Sequence, residues 1–95
     1  MRDDRVETIA DQFKNPLFSE AAAIFKAGVS AGYWSVMKTG DATNAVLTPS
    51  GNFENAESII RNFVERGLAD YVGKKKTGSD QYSPTQKARN VVALL

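Results

Sequence analysis

The second half of the chain constrains the fold most, because it contains a complete series of start and stop signals for regular structure. Its first part predicts a helix over residues 53–66, since Ser50 and Asn52 are N-cap residue types and acidic side chains follow in the first turns. Gly67 can end this helix in the left-handed conformation, with Leu68 packing back on the last turn. The apolar face of the helix repeats at the helical period and comprises Phe53, Ala56, Ile60, Phe63 and Val64.

Two short strands, each with a tyrosine, are predicted next, over Ala69–Val72 and Asp80–Ser83. Gly73 and Gly78 enclose the loop between them, which suits a hairpin. The loop residues that we single out as candidate contacts with DNA phosphates are Lys74, Lys75, Lys76 and Thr77. A hairpin does not need consecutive lysines in order to fold, and their mutual repulsion must be offset by solvent or by a partner such as phosphate. The alternative is a solvated loop whose charge prevents aggregation.

Residues 64–89 read VERGLADYVGKKKTGSDQYSPTQKAR. This order of motifs resembles the second half of a winged helix-turn-helix domain of the MarR and HxlR repressor type. In those repressors a recognition helix ends in a Glu-x-Gly-Leu-like exit, and a strand, a basic wing, a strand with tyrosine and a Thr-x-Lys-Gly-like helix start follow. Glu65–Leu68 and Tyr82–Lys87 match that order, with Ala88 where those families often carry glycine. The resemblance implies a DNA-binding regulator.

Composition argues against catalysis. The chain has no cysteine and no histidine, which removes disulfides, thiolate ligands, and the commonest general base and metal ligand. Its carboxylates are spread along predicted helix surfaces, and no phosphate-binding loop, nucleophile elbow or metal-ligand spacing occurs. We therefore expect no catalytic residues, no metal site, no cofactor and no enzymatic activity.

Charge is unevenly distributed along the chain. The formal net charge is +1 overall, but residues 61–95 carry seven basic and three acidic side chains. A basic C-terminal third is what contact with nucleic acid requires. The N-terminal residues are polar and acidic, unlike a signal peptide, and no apolar run is long enough to span a membrane. We therefore expect a soluble, cytoplasmic protein without a membrane partner.

Both ends of the chain carry an apolar stripe. A helix is predicted over Val6–Phe13, and it ends at Asn15 because the next residue is proline. A C-terminal helix is predicted with Ser83 as its cap, and it finishes in the apolar run Val91–Leu95. The two stripes can pack on each other within one chain or across a two-fold axis. Because terminal helices commonly form the dimer in MarR-like proteins, the resemblance implies a homodimer through Val6–Phe13 and Val91–Leu95.

The middle of the chain predicts a long central helix, from Ser19 to about Thr39. Gly28 and Gly32 have the spacing that lets helices approach closely, although each also weakens the helix. Residues Ala42–Leu47 are then expected to form the short first helix of the helix-turn-helix. The alternative for this interval is a strand over Ala45–Thr48 that completes a three-stranded sheet with the wing.

The solvent-facing side of the predicted 53–66 helix carries residue types that read base edges. Asparagine can pair with adenine and arginine with guanine, each through two hydrogen bonds. The candidate DNA-binding residues of this helix and its cap are Asn52, Asn55, Ser58, Arg61 and Asn62. Glu54 and Glu65 lie on the same face and would repel phosphate, so ordinary solvated helix residues are the competing interpretation.

These observations predict a single α+β domain over residues 1–95. We expect it to be mostly helical, a winged helix-turn-helix with a small β-hairpin wing and helical extensions at both termini. The predicted function is sequence-specific binding of double-stranded DNA as a transcriptional regulator. The recognition helix would lie in the major groove, and the lysines of the wing would contact the DNA backbone. The alternative is an interaction module on the same scaffold that binds or inhibits another protein without binding DNA.

Overall fold

The computed structural model describes residues 5–39, 43–48, 51–53, 57–76 and 78–95. The elements in chain order are α1 (Val6–Lys14), a 3₁₀ turn (Pro16–Phe18), α2 (Ser19–Ala31), β1 (Trp34–Thr39), β2 (Thr43–Thr48), β3 (Gly51–Phe53), α3 (Glu57–Glu65), β4 (Ala69–Lys74), β5 (Asp80–Pro84) and α4 (Gln86–Val92). The strands form one sheet in the order β3-β2-β1-β5-β4, and every described pairing is antiparallel. The predicted α+β class is confirmed.

An aromatic cluster joins the helices to one face of the sheet. Phe13 of α1, Phe25 of α2, Trp34 of β1 and Phe63 of α3 are all buried. Their ring centroids lie 4.7 Å apart for Phe13 and Phe25, 5.3 Å for Phe25 and Phe63, and 5.6 Å for Trp34 and Phe63. Burial of these rings removes a large apolar area from water, so the cluster contributes substantially to the stability of the core.

A row of aromatic residues crosses three neighbouring strands on this same face. Trp34 pairs with Tyr82, and Tyr82 pairs in turn with Tyr71. Directly paired residues of antiparallel strands project to the same side of the sheet. The row therefore runs from the buried Trp34 outward to Tyr71, which is 55% exposed.

The central helix is shorter than predicted. It was expected to reach about Thr39, but α2 ends at Ala31 because Gly32 adopts a left-handed φ of 87°. The following residues form β1, in which Trp34 and Val36 alternate into the core. Tertiary packing of these side chains accounts for the strand, so the prediction of helix over this interval is wrong.

The helix predicted over Ala42–Leu47 is also wrong, since Thr43–Thr48 form strand β2. The strand alternative, Ala45–Thr48, lies within β2. This strand pairs with β1 from Ser35↔Leu47 to Thr39↔Thr43, and those ladder hydrogen bonds outweigh the weak helical preference of a short segment. Among the described residues, three strands rather than a short helix separate α2 from α3.

The predicted recognition helix does not include its expected first residue, Phe53, and its described part is Glu57–Glu65. Asn52 and Phe53 lie in β3, which pairs with β2, so the assignment of Asn52 as a helix cap is wrong. Ser50 lies outside the described residues. Phe53, which the apolar periodicity assigns to the helix, is therefore part of the edge strand of the sheet instead.

The predicted end of this helix is confirmed. Gly67 has φ 74°, and its N–H donates to the carbonyl of Val64 at 3.1 Å. The N–H of Leu68 donates to the carbonyl of Phe63 at 2.8 Å, and Leu68 is fully buried. This pair of hydrogen bonds is a Schellman motif, which fixes the direction in which the chain enters β4.

The two terminal helices are confirmed, and they pack on each other within the chain through buried residues such as Ile9 and Val91. The predicted cap of α4 is wrong by two residues, because the N-cap is Thr85 rather than Ser83. The Thr85 hydroxyl accepts from the N–H of Ala88 at 3.2 Å. Ser83 is part of β5 instead, since the ladder with β4 continues past it.

Candidate nucleic-acid interface

The hairpin of β4 and β5 confirms the two predicted strands and extends each by one or two residues. Among the described residues of its tip, the N–H of Lys75 donates to the carbonyl of Ser79 at 2.8 Å and the N–H of Gly78 donates to the carbonyl of Lys75 at 2.9 Å. Gly73, at an irregularity in the ladder, has φ 146°, and Gly78 has φ 90°. Side-chain-bearing residues rarely adopt such angles, so both glycines are required to present the lysines at this tip.

The three lysines of the hairpin are not equivalent. The ammonium of Lys74 lies 3.3 Å from the Asp80 carboxylate and donates to the carbonyl of Gly78 at 3.3 Å. Lys75 and Lys76 are exposed, and neither forms an ion pair with any of the described residues. Thr77 lies outside the described residues. Two cations are therefore available to an anionic partner, and a third is partly neutralised.

Helix α3 presents part of the predicted base-reading set. Ser58, Arg61 and Asn62 are exposed, as expected. The guanidinium of Arg61 lies 2.8 Å from the Glu57 carboxylate, one turn earlier, and donates a hydrogen bond to it. An arriving base would have to compete with Glu57 for Arg61.

One other member of the set is not on this helix, because Asn52 belongs to β3, opposite Leu47. Asn55 lies outside the described residues. Val64, predicted to face the core, is 39% exposed. The exposed face of α3 is consequently less polar than the sequence indicated.

Tyr71 and Tyr82 were not among the predicted site residues, although the sequence places one tyrosine in each strand. Their ring centroids are 5.3 Å apart in an edge-to-face arrangement. The Tyr71 hydroxyl donates to the Asp80 carboxylate at 3.0 Å. That hydrogen bond raises the pKa of Tyr71 above its ordinary value, and burial followed by the nearby Asp80 charge raises the pKa of Tyr82.

A cleft of about 400 Å³ lies on the other flank of α3. Its polar rim includes Ser58, Asn62 and Arg66, and the Arg66 guanidinium donates to the side-chain oxygen of Gln12. The apolar part of its lining consists of Phe13, Phe18, Ala21, Ile59 and Phe63. Two of the predicted base-reading residues thus border a cavity as well as solvent.

No group of three or more potential metal ligands occurs among the described residues. No helix in the described ranges is long and apolar enough to cross a bilayer. Comparison of the chain with protein families, curated proteins and solved structures finds no match.

Proposed function

We propose that this chain binds double-stranded DNA as a small cytoplasmic transcriptional regulator, with α3 and the β4–β5 hairpin acting as the helix and wing of a winged-helix domain. The observation that carries the proposal is the pair of exposed lysines, Lys75 and Lys76, at a hairpin tip whose backbone is fixed by glycines and hydrogen bonds. Neutralising phosphates releases condensed counterions, which favours association whatever the base sequence.

Base reading would then come from the exposed face of α3. Asn62 can form two hydrogen bonds with adenine, and Arg61 can do the same with guanine after leaving Glu57. Ser58 lies one turn before Asn62 and can reach either a base or a phosphate. The helix is nine residues long, about 14 Å, which fits within one passage through the major groove.

A homodimer remains part of the proposal, but its interface cannot be the whole of the two terminal stripes. Ile9, Ala10 and Val91 are already buried within one chain. A second copy would therefore contact residues that one chain leaves at the surface, such as Leu94 just beyond the end of α4, which is 44% exposed.

A protein-interaction module is the second candidate, and one observation favours it. Phe18, which is 47% exposed, lines the cleft beside α3, and its chain neighbour Leu17 is 86% exposed. Exposed large apolar side chains beside a cavity are typical of surfaces that bind another protein.

Titration of labelled duplex DNA of random sequence, at low and at moderate salt, tests the proposal. Binding whose affinity falls steeply with salt supports it. If the protein shows no affinity for duplex DNA at low salt, the proposal is wrong and the interaction module becomes the better candidate.

A further inference from the structure

The hairpin carries an aromatic surface that phosphate binding by lysines does not explain. Tyr71 is 55% exposed, yet its ring is restrained on two sides, by the edge-to-face contact with Tyr82 and by the hydrogen bond from its hydroxyl to Asp80. A large, rigid, exposed ring can contact a ligand with little loss of conformational freedom.

Strand β4, which carries Tyr71, leads directly into the run of lysines at the hairpin tip. Lys74 follows in the same strand and lies 3.3 Å from the Asp80 carboxylate, so it offsets the one acidic group bonded to the ring hydroxyl. Lys75 and Lys76 continue from the same strand into the tip. An aromatic ring beside a run of cations is the combination that binds nucleic acid through a stacked base and its flanking phosphates.

We propose that Tyr71, supported by Tyr82, is a stacking platform for an unpaired base, so that the preferred ligand is nucleic acid with a base displaced from the duplex stack. This inference deepens the proposed function and rests on it for the phosphate contacts. Every base has a π-face, so the platform accepts any base and selects for unpaired structure rather than for sequence.

The test uses two fluorescent duplexes. The first is fully paired, and the second has the same paired sequence with one additional, extrahelical 2-aminopurine. The wild-type protein should bind the second duplex about tenfold more tightly, and stacking should quench the 2-aminopurine. Tyr71→Phe keeps the ring and should keep both effects. Tyr71→Ala should lose both while its affinity for the paired duplex stays unchanged.

Val72→Ala is the matched control, since Val72 is also 55% exposed and neighbours Tyr71 in the same strand. This variant should behave like the wild type with both probes. Fluorescence of the buried Trp34 reports whether each variant is folded.

Equal wild-type affinity for the two duplexes, or an undiminished preference in Tyr71→Ala, overturns the platform. Binding of the paired duplex without any preference overturns the platform alone and leaves the proposed function standing. Binding of the extrahelical probe alone, with loss in Tyr71→Ala, supports the platform and contradicts duplex recognition. If the protein binds neither probe, both the platform and the proposed function are wrong.

Discussion

Gly28 of α2 lies directly against the indole of Trp34: a Cβ built on Gly28 would stand 1.9 Å from both Cε2 and Nε1 of that ring. The same Nε1 donates to the carbonyl of Ile24 at 2.8 Å. The helix backbone therefore touches the ring and also accepts its only hydrogen bond. This contact fixes the position of α2 over β1, and thereby of the aromatic cluster on which α3 packs.

Gly28→Ala should destabilise the protein strongly, because the added methyl group overlaps a buried ring that has no room to move. Overpacking of this kind costs about 1–3 kcal/mol or more. Gly32→Ala is the control, since nothing lies within 4 Å of its added Cβ and only the left-handed backbone is strained, at a cost of about 1 kcal/mol. Urea unfolding followed by Trp34 fluorescence measures both. A smaller loss for Gly28→Ala than for Gly32→Ala would contradict the contact.

The hydroxyl of Thr85 joins the start of α4 to the end of α3. It accepts from the N–H of Ala88 at 3.2 Å and donates to the carbonyl of Gly67 at 2.6 Å. Thr85→Val should lower the free energy of unfolding by about 1–2 kcal/mol. Thr85→Ser keeps the hydroxyl and should retain most of the wild-type stability. Equal thermal midpoints for the two variants would show that the hydroxyl has no such role.

The raised pKa of Tyr71 predicts that the protein loses stability at alkaline pH. Its pKa is raised in the folded protein because the hydroxyl donates to Asp80, so the contribution is complete below the ordinary tyrosine pKa and is lost as pH rises through the raised value. Asp80→Asn should return the pKa of Tyr71 toward its ordinary value. Titration of the Tyr71 ring resonances by NMR measures this shift, and an unchanged pKa in Asp80→Asn would exclude the carboxylate as its cause.

Substitutions of Glu57 and Arg61, which pair on α3, should change DNA affinity in opposite directions. Arg61→Ala should weaken binding to a preferred duplex by about 1–3 kcal/mol and relax its specificity. Glu57→Gln should strengthen binding, because it removes an acidic group from the surface and frees the arginine. Fluorescence anisotropy with the same duplex measures both, and weaker binding by Glu57→Gln would argue against Arg61 as a base contact.

The features that could be predicted from sequence are those determined by a few neighbouring residues. The end of α3 depends on Gly67 and Leu68, whose conformation and burial are local consequences of the Schellman motif. The hairpin strands likewise follow from the glycines that flank the lysine loop. The pairing of Arg61 with Glu57 is a spacing of four on one helix, which the sequence also contains.

The features that could not be predicted depend on distant partners. Residues from Trp34 onward have an apolar pattern compatible with a helix, and only burial against α2 and pairing with β2 and β5 makes them a strand. Asn52 has the residue type of a helix cap, and nothing in the local sequence indicates its pairing with β2. The neutralisation of Lys74 required the register of β4 against β5, which places it opposite Asp80.

The central claim, that the hairpin tip binds DNA phosphates, is tested most directly by the salt dependence of binding in the double variant Lys75→Ala/Lys76→Ala. A matched control, Lys14→Ala/Lys26→Ala, removes two exposed lysines from α1 and α2 and so has the same net charge. Both variants should keep the wild-type thermal midpoint, because exposed charges contribute little to stability.

The account predicts that Lys75→Ala/Lys76→Ala weakens binding to every duplex sequence and reduces the slope of log affinity against log salt by about 2 units, whereas the control keeps the wild-type slope. A wild-type slope and affinity in Lys75→Ala/Lys76→Ala, or the same loss in Lys14→Ala/Lys26→Ala, would contradict the assignment of the hairpin as the phosphate contact.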